Sequence, residues 1–269
     1  MVTLARPASD AASGAVLIPD TAQTGRLLMK RLAFLLTLLL ALAAICPASA
    51  EDTFVIRAGS REEPKIAITM DDCFEIAYVK ELFELAQEYH IRVTFFPLGT
   101  MIREEDAELW RAIAESDCEI GSHMYKHVNA RNLTSRTIVT WARLTQEQLD
   151  RVLGYHYEIR CLRPPYGNVT DKNGSIERIR GAYKAAGYAH AVKWDVSETN
   201  PAKLVRQVKN GSILLFHARK RDVSCLKTAL PQLLEMGFEP VTVSELLGFG
   251  EKQISAAPYV FDPKEYFVN

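Results

Sequence analysis

Two histidines four residues apart are the part of the sequence best suited to metal chemistry. His123 and His127 stand in the stretch Ile-Gly-Ser-His-Met-Tyr-Lys-His, and the chain has only six histidines. On one helical turn or in a tight loop, this spacing lets both imidazoles point at one position. Two neutral imidazoles and a carboxylate commonly hold a divalent metal with a position open for water. An isolated pair is more simply two solvated histidines on a polar turn, so the rest of the sequence decides.

Polar clusters also follow several apolar, β-branched segments that we predict to be strands. Five of them stand just past a predicted strand end: Asp71-Asp72, His123/His127, Arg163 to Gly167, Trp194-Asp195 and His217. In parallel α/β folds, functional residues gather at the carboxyl ends of the strands. This shared position favours a single site over five unrelated surface features.

The residue types in these clusters suit hydrolysis. Successive side chains after a strand point to different sides, so one of Asp71 and Asp72 can bind a metal while the other acts as a base. Arg163 keeps its charge and can pair with a carboxylate, and His217 suits a general acid. Each has a simpler alternative: a helix cap, a surface arginine in a turn, and a hydrogen-bonded histidine at a strand end.

Composition and periodicity limit the fold and the partners. The chain has 269 residues, of which 48% are hydrophobic and 24% charged, with a net charge of −1. These values are typical of one globular domain, and the lack of a basic excess argues against nucleic acid as a partner. Helical and strand patterns alternate about seven times over residues 64–249, which predicts a parallel α/β fold, open or closed into a barrel.

The N-terminal region has the pattern of a secretory signal. Met29-Lys30-Arg31 precedes an apolar run from Leu32 to Cys46, and Ala48-Ser49-Ala50 follows. We predict cleavage after Ala50, with only transient membrane contact, because the run is short for a spanning helix of about 20 residues. An uncleaved membrane anchor is the alternative. The predicted divisions are an overcalled start (1–28), a signal peptide (29–50), a linker (51–63), the domain (64–249) and an irregular tail (250–269).

Four cysteines remain after the predicted cleavage: Cys73, Cys118, Cys161 and Cys225. They contain no CxxC pair, which excludes a zinc knuckle. Export permits disulfides, and three pairings are open. Cys118 and Cys161 begin predicted strands, so we expect them to be buried thiols.

Four motifs, in order, resemble the polysaccharide deacetylase family, carbohydrate esterase family 4. Thr69 to Cys73 resembles its first motif, Thr-Phe-Asp-Asp-Gly, and His123 to His127 its second, His-Ser/Thr-x-x-His. Arg163 to Gly167 is similar to the third, Arg-x-Pro-Tyr/Phe-Gly, and Leu215 to His217 to the fifth, Leu-x-His. The resemblance extends over residues 64–247, nearly the whole predicted domain.

This resemblance implies a distorted (β/α)7 barrel of parallel strands that removes N- or O-acetyl groups from a glycan. It also implies one divalent metal ion, with Zn²⁺ expected and Co, Ni, Mn or Fe as alternatives. By position it implies that Asp71 is the base, Arg163 its orienting partner and His217 the acid. The remaining roles are metal ligands at Asp72, His123 and His127, an oxyanion-binding N–H at Tyr166, and substrate contacts at Leu215, Trp194 and Pro165.

Three departures from the family pattern bear on the site. Cys73 replaces a glycine, and Met124 replaces Ser or Thr. The fourth motif, Asp-x-x-Asp-Trp, aligns with Ser197, Asn200 and Pro201. The carboxylate partner of His217 is therefore unassigned, and Asp195 and Glu198 are neighbouring candidates.

We therefore predict an exported, extracytoplasmic, metal-dependent hydrolase acting on N-acetylated amino sugars of a cell-wall or extracellular polysaccharide. One alternative is an amidase of the same barrel that acts on a small amide. Another is a non-catalytic glycan-binding protein. The complete Asp-Asp, His-His, Arg and His set favours catalysis, because a binder needs neither base nor acid. The oligomeric state is open.

Overall fold

The structure, a computed structural model, describes residues 53–256. The predicted start (1–28) and signal peptide (29–50) lie outside the described residues. None of the helices within 53–256 is both long and apolar enough to cross a membrane.

Strands and helices alternate along the described chain. The strands are β1 Val55–Ile56, β2 Lys65–Asp72, β3 Thr94–Pro97, β4 Glu119–Ile120, β5 His156–Tyr157, β6 Ala191–Val192, β7 Ile213–His217, β8 Glu239–Val241 and β9 Ile254–Ser255. The α-helices are α1 Ile76–Glu88, α2 Ala107–Glu115, α3 Ser135–Leu153, α4 Glu177–Ala185, α5 Pro201–Gln207, α6 Lys220–Glu235 and α7 Val243–Leu247. Short 3-10 turns occupy Gly99–Met101, Glu104–Asp106, Ala130–Asn132 and Pro165–Gly167.

Strand β2 is the centre of a ring of parallel strands. It pairs in parallel with β3, β7 and β8, and β3 pairs with β4. The ring of strands continues past β4 through a parallel bridge between Ser122 and Leu162. The Leu162 carbonyl then accepts the N–H of Val192, which links this segment to β6. A second parallel bridge, from Val196 to Leu214, returns to β7.

The ring is uneven because β2 has different neighbours along its length. Its first residues pair with β8, in the register Lys65 to Glu239, whereas its last residues pair with β3, in the register Asp72 to Pro97. Most of the ring is held by short pairings and single bridges rather than by long ladders. The predicted distorted barrel of parallel strands is confirmed.

Alternation along β2 divides the core into two layers. Ile66, Ile68 and Met70 belong to the large cluster that includes the apolar faces of the helices. Ala67 belongs to a small separate cluster with Phe96 and residues of other strands. Because side chains alternate across a strand, Thr69 and Asp71 share the side of Ala67. The carboxyl end of β2 therefore brings Asp71 to one end of the barrel interior.

Local signals explain the clearest helix ends. Helix α3 begins after Thr134, whose side chain accepts the Thr137 N–H, and ends at Gly154 with a φ of 83°. A threonine cap at the start and a left-handed glycine after the last turn are common signals of helix ends. Thr242 caps α7, and Ser244 lies inside that helix. Helix α6 begins at Lys220 and carries Asp222 in its first turn.

Several short pairings involve residues that the sequence patterns placed in loops. Strand β1 falls in the predicted linker and pairs with β6. Strand β9 falls in the predicted irregular tail and pairs antiparallel with β5. Leu162, just before Arg163, makes a single parallel bridge rather than a longer strand. Cys73, Cys118, Cys161 and Cys225 are buried free thiols, as predicted for Cys118 and Cys161.

Candidate metal centre and active site

The site begins where β2 ends in two aspartates. Asp72 and Cys73 have φ values of 65° and 57°, a left-handed conformation that costs a non-glycine residue about 1–3 kcal/mol. The Cys73 N–H donates to the Asp71 carbonyl at 2.8 Å, which fixes this turn. Such strain is typical of functional sites. Here it accompanies two adjacent carboxylates that make different contacts.

Asp72 faces the two histidines. Its Oδ1 lies 3.3 Å from His123 Nε2 and 3.4 Å from His127 Nε2. That oxygen is buried and has no hydrogen-bond partner. One potential ligand atom from each of the three residues lies within 4.8 Å of the others. A buried carboxylate oxygen facing two imidazole nitrogens without a hydrogen bond fits a divalent cation, and this donor set suits Zn²⁺ and similar ions.

A backbone carbonyl on the side away from Asp72 fixes the orientation of the His123 ring. Its Nδ1 lies 2.8 Å from the carbonyl oxygen of Arg163, which can only accept, so Nδ1 carries the proton. The lone pair of Nε2 is left facing Asp72, as in metal-binding histidines whose other ring nitrogen donates to a carbonyl or carboxylate. The histidine pair lies in an irregular loop in which Met124 has a φ of 66°. Of the two predicted settings for the pair, the tight loop is the observed one.

Asp71 is held by Arg163. Arg163 Nη1 donates to Asp71 Oδ1 at 2.7 Å and to Thr69 Oγ1 at 2.6 Å, while Nη2 donates to the Lys193 carbonyl at 3.0 Å. The Arg163 side chain is fully buried, and its guanidinium lies 4.3 Å from the Phe96 ring centre. The other Asp71 oxygen, Oδ2, is 4.0 Å from His123 Nε2. The aspartate is therefore ion-paired and adjacent to the candidate metal ligands.

The loop after Arg163 presents one exposed ring and buries its neighbours. Tyr166 has a φ of 60° and is 62% exposed, and its ring centre is 4.4 Å from that of His127. Pro165 is buried, and Leu215 is nearly so. Trp194 is half-buried, with its ring 5.7 Å from the Arg163 guanidinium. Trp194 thus covers the arginine that holds Asp71.

His217 joins the site through the sheet, where it pairs in register with Asp71. Asp222, in the first turn of α6, accepts the His217 backbone N–H at 2.8 Å, and its Oδ2 lies 3.2 Å from His217 Nδ1. Arg219 Nη2 lies 2.8 Å from the same ring nitrogen. These contacts of Nδ1 are alternatives, since a protonated Nδ1 donates to Asp222 and an unprotonated one accepts from Arg219.

Asp222 is the residue that the sequence reasoning missed. Burial acts to raise its pKa, but hydrogen bonds from His217 and the nearby Arg219 outweigh burial and hold the pKa below its ordinary value. The side chain is 1% exposed. The available signal was an acid five residues after His217, at the start of a predicted helix.

Three residues nearer the fourth motif, Asn200, Asp195 and Glu198, were the other candidates for the contact with His217, and all three make different contacts. The Asn200 side chain accepts the Lys203 N–H and caps α5. Asp195 pairs with Arg61 and accepts the Ile213 N–H. Glu198 accepts the backbone N–H groups of the next two residues. Of the open candidates, Asp195 and Glu198 thus use their carboxylates elsewhere, and the acid beside His217 is Asp222.

Cys73 lies outside the ligand group. Burial raises the pKa of its thiol well above the ordinary value, and the charges of Asp71 and Asp72 add to the effect. Its buried side chain packs in the large core cluster and is not part of the group formed by Asp72, His123 and His127.

Comparison with known proteins then decides the family. Residues 58–191 match the family model described as polysaccharide deacetylase. The chain belongs to the polysaccharide deacetylase family. The match includes the segments that carry Asp71, the histidine pair and Arg163, and it ends before His217.

Two relatives share about a quarter of their aligned residues with this chain. It is 28% identical to the peptidoglycan-N-acetylglucosamine deacetylase of Bacillus cereus over 205 residues, covering 70% of this chain and 90% of the relative. It is 22% identical to the uncharacterised protein YlxY of Bacillus subtilis over 194 residues. That match covers 71% of this chain but only 60% of YlxY.

Solved structures establish the family fold. A peptidoglycan N-acetylglucosamine deacetylase solved with a hydroxamate-type benzamide superimposes with a TM-score of 0.65 at 21% identity, covering 76% of this chain and 97% of that one. A CE4-family pseudoenzyme from Bacillus anthracis gives 0.60 at 21% identity, with coverage of 71% and 68%. Since the fold includes a pseudoenzyme, activity has to be argued from the residues of the site.

Proposed function

We propose that this protein is an exported, metal-dependent hydrolase that removes acetyl groups from a glycan. The substrate class is N-acetylated amino sugars of a cell-wall or extracellular polysaccharide. One observation carries the proposal: the buried, unpartnered Oδ1 of Asp72 faces the Nε2 atoms of His123 and His127, beside the Asp71–Arg163 ion pair. The names of the peptidoglycan and chitooligosaccharide deacetylases among its relatives support the choice of glycan.

Asp72, His123 and His127 would hold the metal ion. When bound, a divalent ion such as Zn²⁺ polarises the acetyl carbonyl and makes water a better nucleophile near neutral pH. We take Zn²⁺ as the expected ion because imidazole and carboxylate ligands suit it, with Co, Ni, Mn and Fe as alternatives.

Asp71 would act as the general base. Its ion pair with the fully buried Arg163 fixes the direction of the carboxylate. Thr69 and the Lys193 carbonyl hold the arginine in turn, so the base cannot rotate without breaking several contacts. A positioned base of this kind contributes about 10²–10⁴-fold to a rate.

His217 would act as the general acid, and Asp222 would position it. The Asp222 carboxylate holds the backbone and the ring of His217 from one side, leaving Nε2 as the nitrogen that can donate to the leaving group. The Tyr166 N–H would bind the oxyanion. Leu215, Trp194 and Pro165 are assigned to the substrate pocket, with Trp194 also covering Arg163.

The test is acetate release from a defined panel: N-acetylglucosamine oligomers, intact peptidoglycan, acetylated xylan and small aliphatic acetamides. Release from a glycan and not from the small amides supports the proposal. Release from the amides alone identifies an amidase of the same barrel. Glycan binding without release, in protein shown to contain metal, identifies a glycan-binding protein.

Export rests on residues 29–50, whose pattern is that of a cleaved signal. Peptidoglycan lies outside the cytoplasmic membrane, so the peptidoglycan deacetylases among the relatives agree with this proposal. N-terminal sequencing of the protein recovered from its producing cells should give Glu51 as the first residue. A chain that retains residues 29–50 would instead be membrane-anchored.

A further inference from the structure

Two exposed aromatic rings flank the metal-ligand candidate His127. Phe74 is 53% exposed and Tyr166 62%, and they are two of the four large hydrophobic side chains exposed within residues 53–256. The Phe74 and His127 ring centres are 6.3 Å apart at an interplanar angle of 69°. Tyr166 lies closer, at 4.4 Å and 51°. The three rings form a continuous aromatic surface at the mouth of the site.

The exposure of Phe74 has no explanation in packing. It precedes Glu75, the N-terminal cap position of α1, where an apolar side chain often packs on the helix four positions after the cap. That position is Val79, which is fully buried in the large core cluster. Phe74 belongs neither to this cluster nor to the partly buried side chains that pack against it. Any packing of Phe74 on the helix therefore leaves more than half of its side chain exposed to water.

The backbone directs both rings outward. Phe74 follows Asp72 and Cys73, two consecutive non-glycine residues in the left-handed region, and Tyr166 is itself in that region. Phe74 also directly follows Cys73, which replaces the glycine of the family's first motif. A strained turn that exposes an aromatic side chain beside a metal ligand is a feature of binding rather than of folding.

We infer that Phe74 is a sugar-binding residue, against which a pyranose ring of the glycan stacks while the neighbouring acetylated unit occupies the metal site. The inference rests on the proposed function and names the subsite next to it. A pyranose presents a face of C–H groups that packs on a flat aromatic ring, and its hydroxyls stay in water. Tyr166 bounds the other side of His127, so the chain would pass over the histidine between the two rings.

The experiment compares Phe74→Leu, which keeps the apolar bulk without the flat ring, with Phe74→Trp, which keeps a ring. Met236→Ala is the matched control: Met236 is 57% exposed and follows the far end of α6. Each variant is assayed for acetate release with N-acetylglucosamine oligomers of increasing length. Binding of the same oligomers is measured by calorimetry, so that the comparison does not depend on turnover.

We expect Phe74→Leu to raise both KM and Kd for the longer oligomers about 3- to 10-fold with kcat unchanged, as the loss of one aromatic contact does. Phe74→Trp should restore binding, and Met236→Ala should match the wild type. Equal Kd values for Phe74→Leu and wild type at every length would overturn the inference. Wild-type protein that binds oligomers through Phe74 but releases no acetate would instead refute only the proposed function.

Discussion

Replacing Asp222 with asparagine separates the charge beside His217 from the geometry that holds it. The His217 backbone N–H donates to Asp222 Oδ2 at 2.8 Å, so the asparagine must place its carbonyl oxygen there. Its amide nitrogen then takes the position of Oδ1, a buried atom that has no hydrogen-bond partner. The contact between this side chain and His217 Nδ1 can survive as a hydrogen bond to an uncharged amide. The variant thus removes a negative charge while keeping the shape of the site.

The size of the effect follows from the contact that changes. A hydrogen bond to a charged group contributes about 1.5–3 kcal/mol, which corresponds to roughly 10- to 150-fold in rate. The His217 side chain is 30% exposed, so solvent reduces the effect of the missing charge. We therefore expect kcat/KM for Asp222→Asn to fall about 10- to 50-fold. His217→Ala, which removes the acid itself, should cost about 10²–10⁴-fold.

A double-mutant cycle tests whether Asp222 acts through His217. Acetate release is measured for Asp222→Asn, His217→Ala and the double variant, with metal content as a check on the site. Asp195→Asn is the matched control, because Asp195 likewise accepts a backbone N–H and pairs with an arginine. Asp222→Asn should have no further effect once His217 is alanine. An equal loss in both backgrounds would refute the positioning role.

Three further predictions follow from the site. Asp72→Ala, His123→Ala and His127→Ala should each lower metal affinity by orders of magnitude, so full occupancy of all three by elemental analysis would contradict the ligand assignment. Asp71→Asn should keep the metal yet lower kcat about 10²–10⁴-fold, and near-normal turnover would exclude Asp71 as the base. Because the folded-state pKa of Asp222 is below the ordinary 3.8, its charge stabilises the fold above that pH, and the benefit is lost as pH falls through the lowered pKa. The stability difference between wild type and Asp222→Asn, measured by denaturant unfolding, should therefore be largest above pH 3.8 and shrink below it; a constant difference would contradict the shift.

Strand ends and motif order were the informative parts of the sequence. The alternation of strands and helices predicted a parallel α/β fold, and the family resemblance implied that it closes into a distorted barrel. Polar residues after strand ends predicted that Asp71, Asp72, His123 and His217 converge. The reason is general: parallel strands bring their carboxyl ends to one side of the sheet. Helix α3 was also predictable, because its cap, periodicity and terminal glycine agree.

The features that were missed depend on contacts distant in sequence. Strands β1 and β9 have two residues each and are defined only by their partners, so no periodicity marks them. The carboxylate beside His217 was sought near the degenerate fourth motif, whereas it lies on α6 at Asp222. Only the packing of α6 against the end of β7 shows that the acid comes from a different element. Likewise, the type of residue at Phe74 does not reveal that its ring is exposed beside His127.

The central claim is that Asp72, His123 and His127 hold a metal ion on which glycan deacetylation depends. The most direct test measures acetate release from N-acetylglucosamine oligomers by the purified protein, before and after removal of metal with a chelator and after stepwise return of Zn²⁺. The account predicts that activity is lost with the metal and returns in proportion to added ion, reaching its maximum at one ion per chain. Undiminished acetate release from protein shown to be free of metal would contradict it.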